Sequence, residues 1–256
     1  MPDQLDKGRI RRSFQRSRAT YDEHATIQQQ AGVHLLKLLG RCAPVSVERC
    51  LEIGCCTGVL SELFCSQFQP EALFLNDLVD EFVAEVPSRL PENSRTRAWS
   101  LPGDIEQVPL PEDLSLVLSS STFQWLVDLP LMLTRLAESL RPGGLLAVSL
   151  FGPGTLSEFS SLTNVGLNYR SKEAISQLLE RDFVIEAQES QIAQSFFSHP
   201  RAVLEHLRAT GVGGVTDFRW TKDRLREFER DYQSLFGTPE GVPVTYATLY
   251  FVARRL

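Results

Sequence analysis

The spacing of apolar residues changes about 48 residues into the chain. From there to residue 151, short apolar runs alternate with stretches in which apolar residues recur at helical spacing. The runs predict five strands, at residues 47–53, 72–75, 97–100, 114–119 and 145–151. The helical stretches predict three helices, at residues 58–68, 78–86 and 129–140. Strands and helices that alternate in this way form right-handed crossovers and a parallel sheet covered on both faces.

The segments on either side of this region have different patterns. Residues 5–41 predict two helical stretches, since apolar residues such as Ile27 and Ala31 recur at helical spacing. Residues 152–170 are rich in glycine, serine and threonine, which indicates a loop or a mobile lid. The remaining pattern predicts helices at 171–181, 200–210 and 221–236, and strands at 183–190 and 244–253.

Together these elements predict an α/β fold with a mostly parallel, seven-stranded sheet and helices on both faces. The 256 residues suit one α/β domain with additions. A chain of this length buries a full hydrophobic core without needing disulfide bonds or structural metal ions. We expect an N-terminal helical extension at residues 1–45, a core at residues 46–151, and lid or cap helices with the last strands of the sheet at residues 152–256.

The composition fits a globular cytoplasmic protein. Its hydrophobic fraction of 43% and its charged fraction of 23% are ordinary. The five cysteines form no C-x-x-C pair and have no histidines at zinc spacing, so we expect reduced thiols and no metal site. The polar start predicts no signal peptide, and no apolar run reaches the ~18 residues that span a bilayer, so we expect no membrane association.

Charge is distributed unevenly along the chain. The net charge of −6 argues against a nucleic-acid binder. Residues 7–18 nevertheless carry no acid and six basic residues, Lys7, Arg9, Arg11, Arg12, Arg16 and Arg18. This basic cluster is either a solvated helical face or a docking patch for an acidic partner.

The turn after the first strand, residues 52–58, is the strongest chemical motif, and we call it the glycine turn. Glycine lets a chain turn sharply and lets backbone approach a ligand closely. A dinucleotide-binding site typically has the motif G-x-G-x-x-G and a helix whose N-terminus points at the pyrophosphate. This turn instead has G-x-x-x-G, at Gly54 and Gly58, with Cys56 between them and Glu52 two residues before the first glycine. The carboxylate of Glu52 would repel a phosphate group but suits the ammonium group of a methionine moiety. This difference favours S-adenosylmethionine over NAD as the ligand. The alternative is that the segment is a plain tight turn with no ligand.

Other strand ends supply further candidate cofactor contacts, because open α/β sheets bind ligands outside the carboxyl ends of their strands. Asp77, with Leu78 beside it, follows the second strand and could accept hydrogen bonds from both ribose hydroxyls. Asp104 follows the third strand and could accept from an adenine amino group, while the amide of Ile105 donates to the ring. Ser119, at the end of the fourth strand, completes the set. The alternatives are a helix N-cap for Asp77 and a turn residue for Asp104.

Over residues 48–150 the chain resembles the class I, Rossmann-like methyltransferases, and its most specific motifs lie at residues 51–58, 103–106 and 140–144. The resemblance implies a Rossmann-like sheet and S-adenosylmethionine as the methyl donor. One residue departs from the pattern, since the family usually has glycine at the position of Cys56. A side chain there faces the ligand and would lower cofactor affinity, but cysteine is small and weakly polar, so we expect it to be tolerated. This departure keeps open the alternative of a non-catalytic binding subunit with this fold.

Motifs outside the core extend the resemblance to nearly the whole chain. They lie at residues 14–28, 206–212 and 243–246, and a further motif lies within the core at residues 123–125. Together with residues 103–110 they resemble the malonyl-acyl-carrier-protein O-methyltransferases of biotin synthesis. This resemblance implies methylation of the free carboxylate of a malonyl group on acyl carrier protein or on CoA; the alternative is a small-molecule methyltransferase with another acceptor. A carboxylate is already an anionic nucleophile at neutral pH, so we expect no general base.

The acceptor side has weaker sequence signals. Arg208, on the predicted helix 200–210, is the first candidate for the malonyl carboxylate, and a surface arginine is the alternative. Tyr21 and His24 lie one helical turn apart and could close over the methyl donor. The predicted acceptor-side residues are Tyr21, His24, Gln124, Trp125, Arg208 and Tyr246.

An acidic carrier protein would need a basic surface on this acidic chain. Within the basic cluster, Arg11, Arg12 and Arg16 are the candidates for carrier docking.

Overall fold

A seven-stranded sheet organises the protein, whose computed structural model describes residues 5–42, 47–92, 95–215 and 220–256. The strand order is β3-β2-β1-β4-β5-β7-β6. Strands β1 to β5 are parallel, whereas β7 runs antiparallel to both β5 and β6. The strands are β1 Arg49–Ile53, β2 Ala72–Asp77, β3 Arg97–Pro102, β4 Leu114–Ser120, β5 Leu140–Phe151, β6 Phe183–Phe197 and β7 Val242–Arg255.

Helices cover the sheet, and several begin at a side-chain cap. Asp6, Asp128, Ser171 and Thr221 each accept a hydrogen bond from an amide three residues ahead, which satisfies a donor that the helix itself leaves unpaired. The α-helices in the described residues are α1 Lys7–Ser17, α2 Tyr21–His24, α3 Thr26–Cys42, α4 Val59–Phe68, α5 Asp80–Glu85, α6 Leu129–Ser139, α7 Ser157–Thr163, α8 Lys172–Leu179, α9 Pro200–Ala209 and α10 Lys222–Phe236. Short 3₁₀ helices lie at Val86–Arg89, Phe123–Trp125 and Val212–Val215.

The architecture confirms the predicted α/β fold and its mostly parallel, seven-stranded sheet. Two short helices were missed: α2, which separates α1 from α3, and α7, which lies inside the predicted loop at residues 152–170. At four and seven residues they are too short to show a helical period. The motif at residues 140–144 belongs to β5, which begins at Leu140, five residues before the predicted strand.

Parallel strands that are covered on both faces carry apolar residues on both faces, and β4 shows this. Leu114, Leu116, Val117 and Leu118 are all at most 1% exposed. One apolar cluster lies on the α6 and α8 side of the sheet, and another lies on the α3 and α4 side. Since the strand order reverses between β1 and β4, the carboxyl ends of these strands leave a crevice, which is where open α/β sheets bind ligands.

A third apolar cluster joins α9 and α10 to the start of β7 and forms a cap above this crevice. Helix α1 packs closely on the turn that follows α9. A methyl group on Gly211, where φ is 73°, would lie 2.7 Å from the Phe14 ring, and one on Gly214 would lie 2.9 Å from Ser13. The glycines thus let the N-terminal segment lie across the crevice. The division of the chain at residues 45 and 151 stays a prediction.

Within the described residues, no helix combines the length and the apolar character needed to cross a membrane.

Candidate active site

The glycine turn bends sharply at the end of β1. Gly54 has a φ of 75° and Gly58 a φ of 89°, in the left-handed region that glycine enters without steric cost. The amides of Gly54 and Cys55 both donate to the carbonyl of Asn76 at the end of β2, at 2.8 and 2.9 Å. A methyl group on Gly54 would overlap the Thr122 hydroxyl. The turn is therefore packed so closely that only glycine fits at Gly54.

Cys56 occupies the middle of the turn with a φ of 47°, in the left-handed region that disfavours side chains. This conformation gives a physical reason for the glycine that class I methyltransferases usually have here. The Cys56 side chain lines both cavities beside the turn, and burial raises the pKa of its thiol well above the usual value. Because a thiol reacts as the thiolate, this burial disfavours a nucleophilic role for Cys56, which forms part of the cavity wall.

Asp77 ties the turn to the end of β2. Its Oδ2 accepts from the amide of Cys56 at 2.9 Å, and its Oδ1 accepts from the amide of Val79 at 2.8 Å. Burial raises the pKa of the Asp77 carboxyl to about 6, and the backbone hydrogen bonds oppose that rise. A carboxylate has about four acceptor positions, so Asp77 keeps capacity for ribose hydroxyls. Val79, and not Asp77, is the N-cap of α5.

Two adjoining cavities flank the glycine turn and share Tyr21, Gly54 and Cys56 in their walls. The first cavity, of about 60 Å³, also reaches Asp22 and Gln28. The second cavity, of about 90 Å³, brings together predicted cofactor residues from two strand ends, namely Asp77, Leu78, Asp104 and Ile105.

Two acceptor atoms beside the first cavity lack donors. Asp22 Oδ1 and Gln28 Oε1 are buried, and neither has a hydrogen-bond partner among the described residues. Asp22 uses its other oxygen for Arg89, at 2.7 Å. An ammonium group carries three N–H donors and no acceptor, so it fits such a pair of acceptors. Sequence reasoning did not single out either residue, although both lie in the motif at residues 14–28.

Glu52 lies behind the turn and lines neither cavity. Its side chain is fully buried, and Ser61 on α4 donates to Glu52 Oε2 at 2.6 Å. Burial raises the pKa of the Glu52 carboxyl to about 8. The direct contact with an ammonium group that we expected of Glu52 therefore needs correction. Glu52 Oε2 is engaged with α4, whereas its Oε1 is buried without a hydrogen-bond partner among the described residues. The acceptors in residues that line the first cavity come from Asp22 and Gln28.

Replacing Glu52 by glutamine should stabilise the protein increasingly as the pH rises. The folded-state pKa near 8 exceeds the ordinary value of 4.5, so the stability that protonated Glu52 contributes is complete below pH 4.5 and is lost as the pH rises through 8. Glutamine does not ionise and so avoids this loss. The free energy of unfolding of the variant, relative to that of the wild type, should therefore grow by roughly 3 kcal/mol between pH 5 and pH 9. Urea unfolding at both pH values measures it. Exposed Glu62 on α4 is the control, since Glu62→Gln should show no such trend; a constant difference for Glu52→Gln would contradict the assignment.

Lys7 on α1 reaches across to the end of β3. Its Nζ lies 3.2 Å from Asp104 Oδ1 and 2.7 Å from Glu106 Oε2. Glu106 also accepts from the amides of Val127 and Asp128. Asp104 therefore anchors α1 as well as lining the second cavity, and its contact with adenine stays a prediction.

Ser119 lies on the wrong side of its strand for the predicted role. It is fully buried, and its hydroxyl donates to the carbonyl of Ile53 at 2.8 Å. Because side chains alternate along a strand, the next residue, Ser120, faces the crevice and lines both cavities. Ser120, and not Ser119, is therefore the serine of β4 that lines the candidate cofactor cavities.

A third cavity, of about 20 Å³, adjoins Tyr21 on the side away from the glycine turn. It collects four of the six predicted acceptor-side residues, Tyr21, Gln124, Trp125 and Tyr246. His24 is exposed and lines none of the cavities described so far, because the four-residue helix α2 turns it towards solvent. The structure therefore corrects the expectation that His24 closes over the donor together with Tyr21.

Arg208 lines a larger cavity of about 630 Å³, which we call the vestibule. The vestibule shares Leu156, Leu167, Tyr169 and Val212 with the third cavity, so the two adjoin. Arg208 is exposed and does not line the third cavity. Arg208 thus lines a different cavity from Tyr21 and Tyr246, with which the sequence grouped it. Tyr169 joins the site from the predicted lid segment, where no sequence motif marks it.

The basic cluster is partly used to hold α1 against the core. Arg11 pairs with Asp80, and Arg18 pairs with Glu85, each at 2.9 Å. Arg12 and Arg16 are exposed, and Arg16 also lines the vestibule. The docking role of Arg11, Arg12 and Arg16 stays a prediction.

Comparison with known proteins identifies the class of enzyme. A family model described as a methyltransferase domain matches residues 51–148. A malonyl-(acyl-carrier protein) O-methyltransferase of Chlorobium luteolum is 36% identical over 253 residues, which cover 98% of this chain and 96% of that protein. The protein of the same name from Acinetobacter baylyi is also 36% identical, with 98% of each chain covered. The chain belongs to this family.

Membership of the malonyl-(acyl-carrier protein) O-methyltransferases confirms both predicted resemblances and makes the protein a methyltransferase. Solved structures agree on the fold. NodS of Bradyrhizobium japonicum WM9, an N-methyltransferase solved with S-adenosylhomocysteine, has a TM-score of 0.61 at 16% identity, over 96% of this chain and 98% of that chain. YcgJ of Bacillus subtilis has a TM-score of 0.62 at 14% identity, over 87% and 98%. These likenesses confirm the Rossmann-like sheet.

Proposed function

We propose that the protein transfers a methyl group from S-adenosylmethionine to the free carboxylate of a malonyl thioester, on acyl carrier protein or on CoA, as an early step of biotin synthesis. The observation that best supports this is the row of adjoining cavities from the glycine turn through the third cavity to the vestibule. The vestibule has room for a long thioester arm, whereas the third cavity admits only a small acceptor end. The relatives act, by their names, on malonyl-acyl carrier protein.

The residues beside the glycine turn fit the methyl donor. Asp77 would accept from the ribose hydroxyls, and Asp104 with Ile105 would hold the adenine, because all three line the second cavity. The unpartnered acceptors of Asp22 and Gln28 would receive the ammonium group in the first cavity. When bound, S-adenosylmethionine supplies an electrophilic methyl group on a cationic sulfur.

We expect the N-terminal segment to move outward when the cofactor enters. Pockets for ligands of this size span roughly 300 Å³ or more, and the first and second cavities, of about 60 and 90 Å³, are smaller. The segment is held by ion pairs such as Arg11 with Asp80 and Arg18 with Glu85, whose side chains are about half exposed. Exposed pairs of this kind contribute about 0 to 1 kcal/mol each. These exposed ion pairs therefore oppose opening only weakly.

The chain's part in the transfer is to orient the acceptor and to exclude water. A carboxylate oxygen takes the methyl group with its own electron pair, while the pair of the broken C–S bond stays on sulfur. No proton moves, so no general base is needed. Tyr21, which lines the first, second and third cavities, stands where donor and acceptor sides meet. Holding the two reactants in line there is the main source of rate enhancement that the site offers.

Carrier docking on α1 predicts a substrate-dependent effect of charge reversal. Arg12 is exposed and lines none of the four cavities described above. Arg12→Glu should raise the KM for malonyl-acyl carrier protein about threefold or more, because a steering charge is reversed. The KM for malonyl pantetheine should stay level. Arg181→Glu, at another exposed arginine, is the control; equal effects on both substrates would exclude a docking role for Arg12.

Mass spectrometry of malonyl-acyl carrier protein after incubation with the protein and S-adenosylmethionine tests the proposed function. A gain of one methyl group is expected, and acetyl-acyl carrier protein, which has no free carboxylate, should gain none. Methylation of free dicarboxylic acids in place of the thioester would indicate another small-molecule acceptor. Absence of S-adenosylmethionine binding in a calorimetric titration would indicate a non-catalytic subunit.

A further inference from the structure

The third cavity has polar but uncharged walls. Of the described residues that line it, none is lysine or arginine, and its polar side chains are hydroxyls and amides. Gln124 is already engaged, since its Nε2 donates to the Ser121 carbonyl at 2.6 Å and its Oε1 accepts from the Phe151 amide at 3.4 Å. Tyrosine hydroxyls are among the donors left for an acceptor group, together with the Ser121 hydroxyl, which has no hydrogen-bond partner among the described residues, and the indole N–H of Trp125.

Tyr246 lies on β7, is 1% exposed, and forms one wall of the third cavity. Its Oη is 2.7 Å from Nε2 of His206 on α9. Burial lowers the pKa of His206 to about 4, so the imidazole is neutral at physiological pH. In the tautomer with hydrogen on Nε2, His206 donates to the Tyr246 oxygen and leaves the Tyr246 hydrogen free to point elsewhere.

Tyr169 lies on the segment between α7 and α8 and lines both the third cavity and the vestibule. Burial alone raises the pKa of its hydroxyl, and that hydroxyl has no hydrogen-bond partner among the described residues. Burial raises the pKa of the Tyr246 hydroxyl, and Tyr169 raises it further. Tyr169 and Tyr246 share the wall of the third cavity, which the vestibule adjoins.

Resting on the proposed function, we propose that the Tyr169 and Tyr246 hydroxyls bind the malonyl carboxylate, that His206 positions the Tyr246 hydroxyl, and that Arg208 does not contact this carboxylate. Neutral donors hold the carboxylate while leaving the negative charge on the attacking oxygens. A guanidinium in bidentate contact would neutralise much of that charge and weaken the nucleophile. Arg208, at the vestibule, is placed for a more distant part of the substrate.

Binding measurements test the proposal without turnover. Malonyl pantetheine and its methyl ester would be titrated into protein saturated with sinefungin, a cofactor analogue that carries an ammonium group in place of the sulfonium. Tyr169→Phe and Tyr246→Phe should each raise the Kd for malonyl pantetheine about tenfold, as expected for a lost hydrogen bond to a charged group. The Kd for the methyl ester should change less than about twofold, since its charge is absent.

Arg208→Gln is the matched comparison and should leave the ratio of the two Kd values unchanged. The proposal is overturned if the Kd values of both ligands rise by the same factor in the tyrosine variants. It is also overturned if Arg208→Gln removes the preference for malonyl pantetheine over its methyl ester. His206→Gln keeps an N–H donor and should retain the preference for malonyl pantetheine over its methyl ester, whereas His206→Leu should lose it. If the role of His206 were purely structural, the substitutions would change the Kd values of both ligands by the same factor. Thermal unfolding confirms that each variant is folded. Failure of the proposed function would appear separately, as wild-type protein that binds the thioester but transfers no methyl group to it.

Discussion

Gly54→Ala is expected to raise the Kd for S-adenosylhomocysteine at least about a hundredfold. Two costs add at this position. A φ of 75° is strained for any residue with a side chain, by about 1–2 kcal/mol, and the new methyl group would overlap the Thr122 hydroxyl. The overlap can be relieved only by moving the glycine turn or the segment at Thr122, and both lie next to the first and second cavities. Displacing packed backbone in a ligand site costs several kcal/mol, which corresponds to a loss of two or more powers of ten. Calorimetric titration measures it.

Gly143→Ala separates strain from overlap. Gly143 also has a φ of 75°, but a methyl group there would meet nothing within 4 Å. It should therefore lower the free energy of unfolding by about 1–2 kcal/mol through strain and leave the Kd for S-adenosylhomocysteine unchanged. If the two variants weakened cofactor binding equally, close packing at the glycine turn could not be the cause.

The donor side of the site is readable from sequence because its geometry follows from the sheet. The carboxyl ends of neighbouring parallel strands meet at one edge, so the strand pattern alone places Asp77 and Asp104 together. The remaining errors there concern which way a side chain points. Ser119 and Ser120 differ by one residue and therefore by one face of β4, and both are serine, so residue type offers no means of choosing.

The acceptor side is harder to predict because it is assembled from segments distant in sequence. Tyr21 comes from a four-residue helix, Tyr169 from the predicted lid, and Tyr246 from the last strand. No pattern within any one of these sequence segments predicts that the three side chains lie at the same site. Arg208 was favoured because an arginine is the common partner of a carboxylate, yet helix α9 places it at the vestibule. Chemistry identifies a suitable residue type, but only packing between segments decides which residues reach the transferring methyl group.

A malonyl thioester is expected to bind at least about tenfold more tightly to the protein when the cofactor site holds sinefungin than when it holds S-adenosylhomocysteine. A buried carboxylate is costly unless an opposite charge is near. The third cavity offers tyrosine hydroxyls and, in the part of the chain that the structure describes, no lysine or arginine in its wall. The compensating charge must then come from the cofactor. Sinefungin is cationic at the reacting centre, and S-adenosylhomocysteine is neutral there.

The magnitude follows from Coulomb's law, since two unit charges a few ångströms apart attract by roughly 4 kcal/mol at an effective dielectric constant of 20, and partial solvation reduces this. Titration of malonyl pantetheine into each complex measures the ratio, and its uncharged methyl ester should bind the two complexes alike. Equal binding of the malonyl form would mean that a side chain of the protein supplies the cation, with Arg208 the first to examine by Arg208→Gln. If the charge comes from the cofactor, transfer of the methyl group removes both charges at once. The attraction that assembles the reactants then disappears in the products, so the ester and the demethylated cofactor would leave without a salt bridge to break.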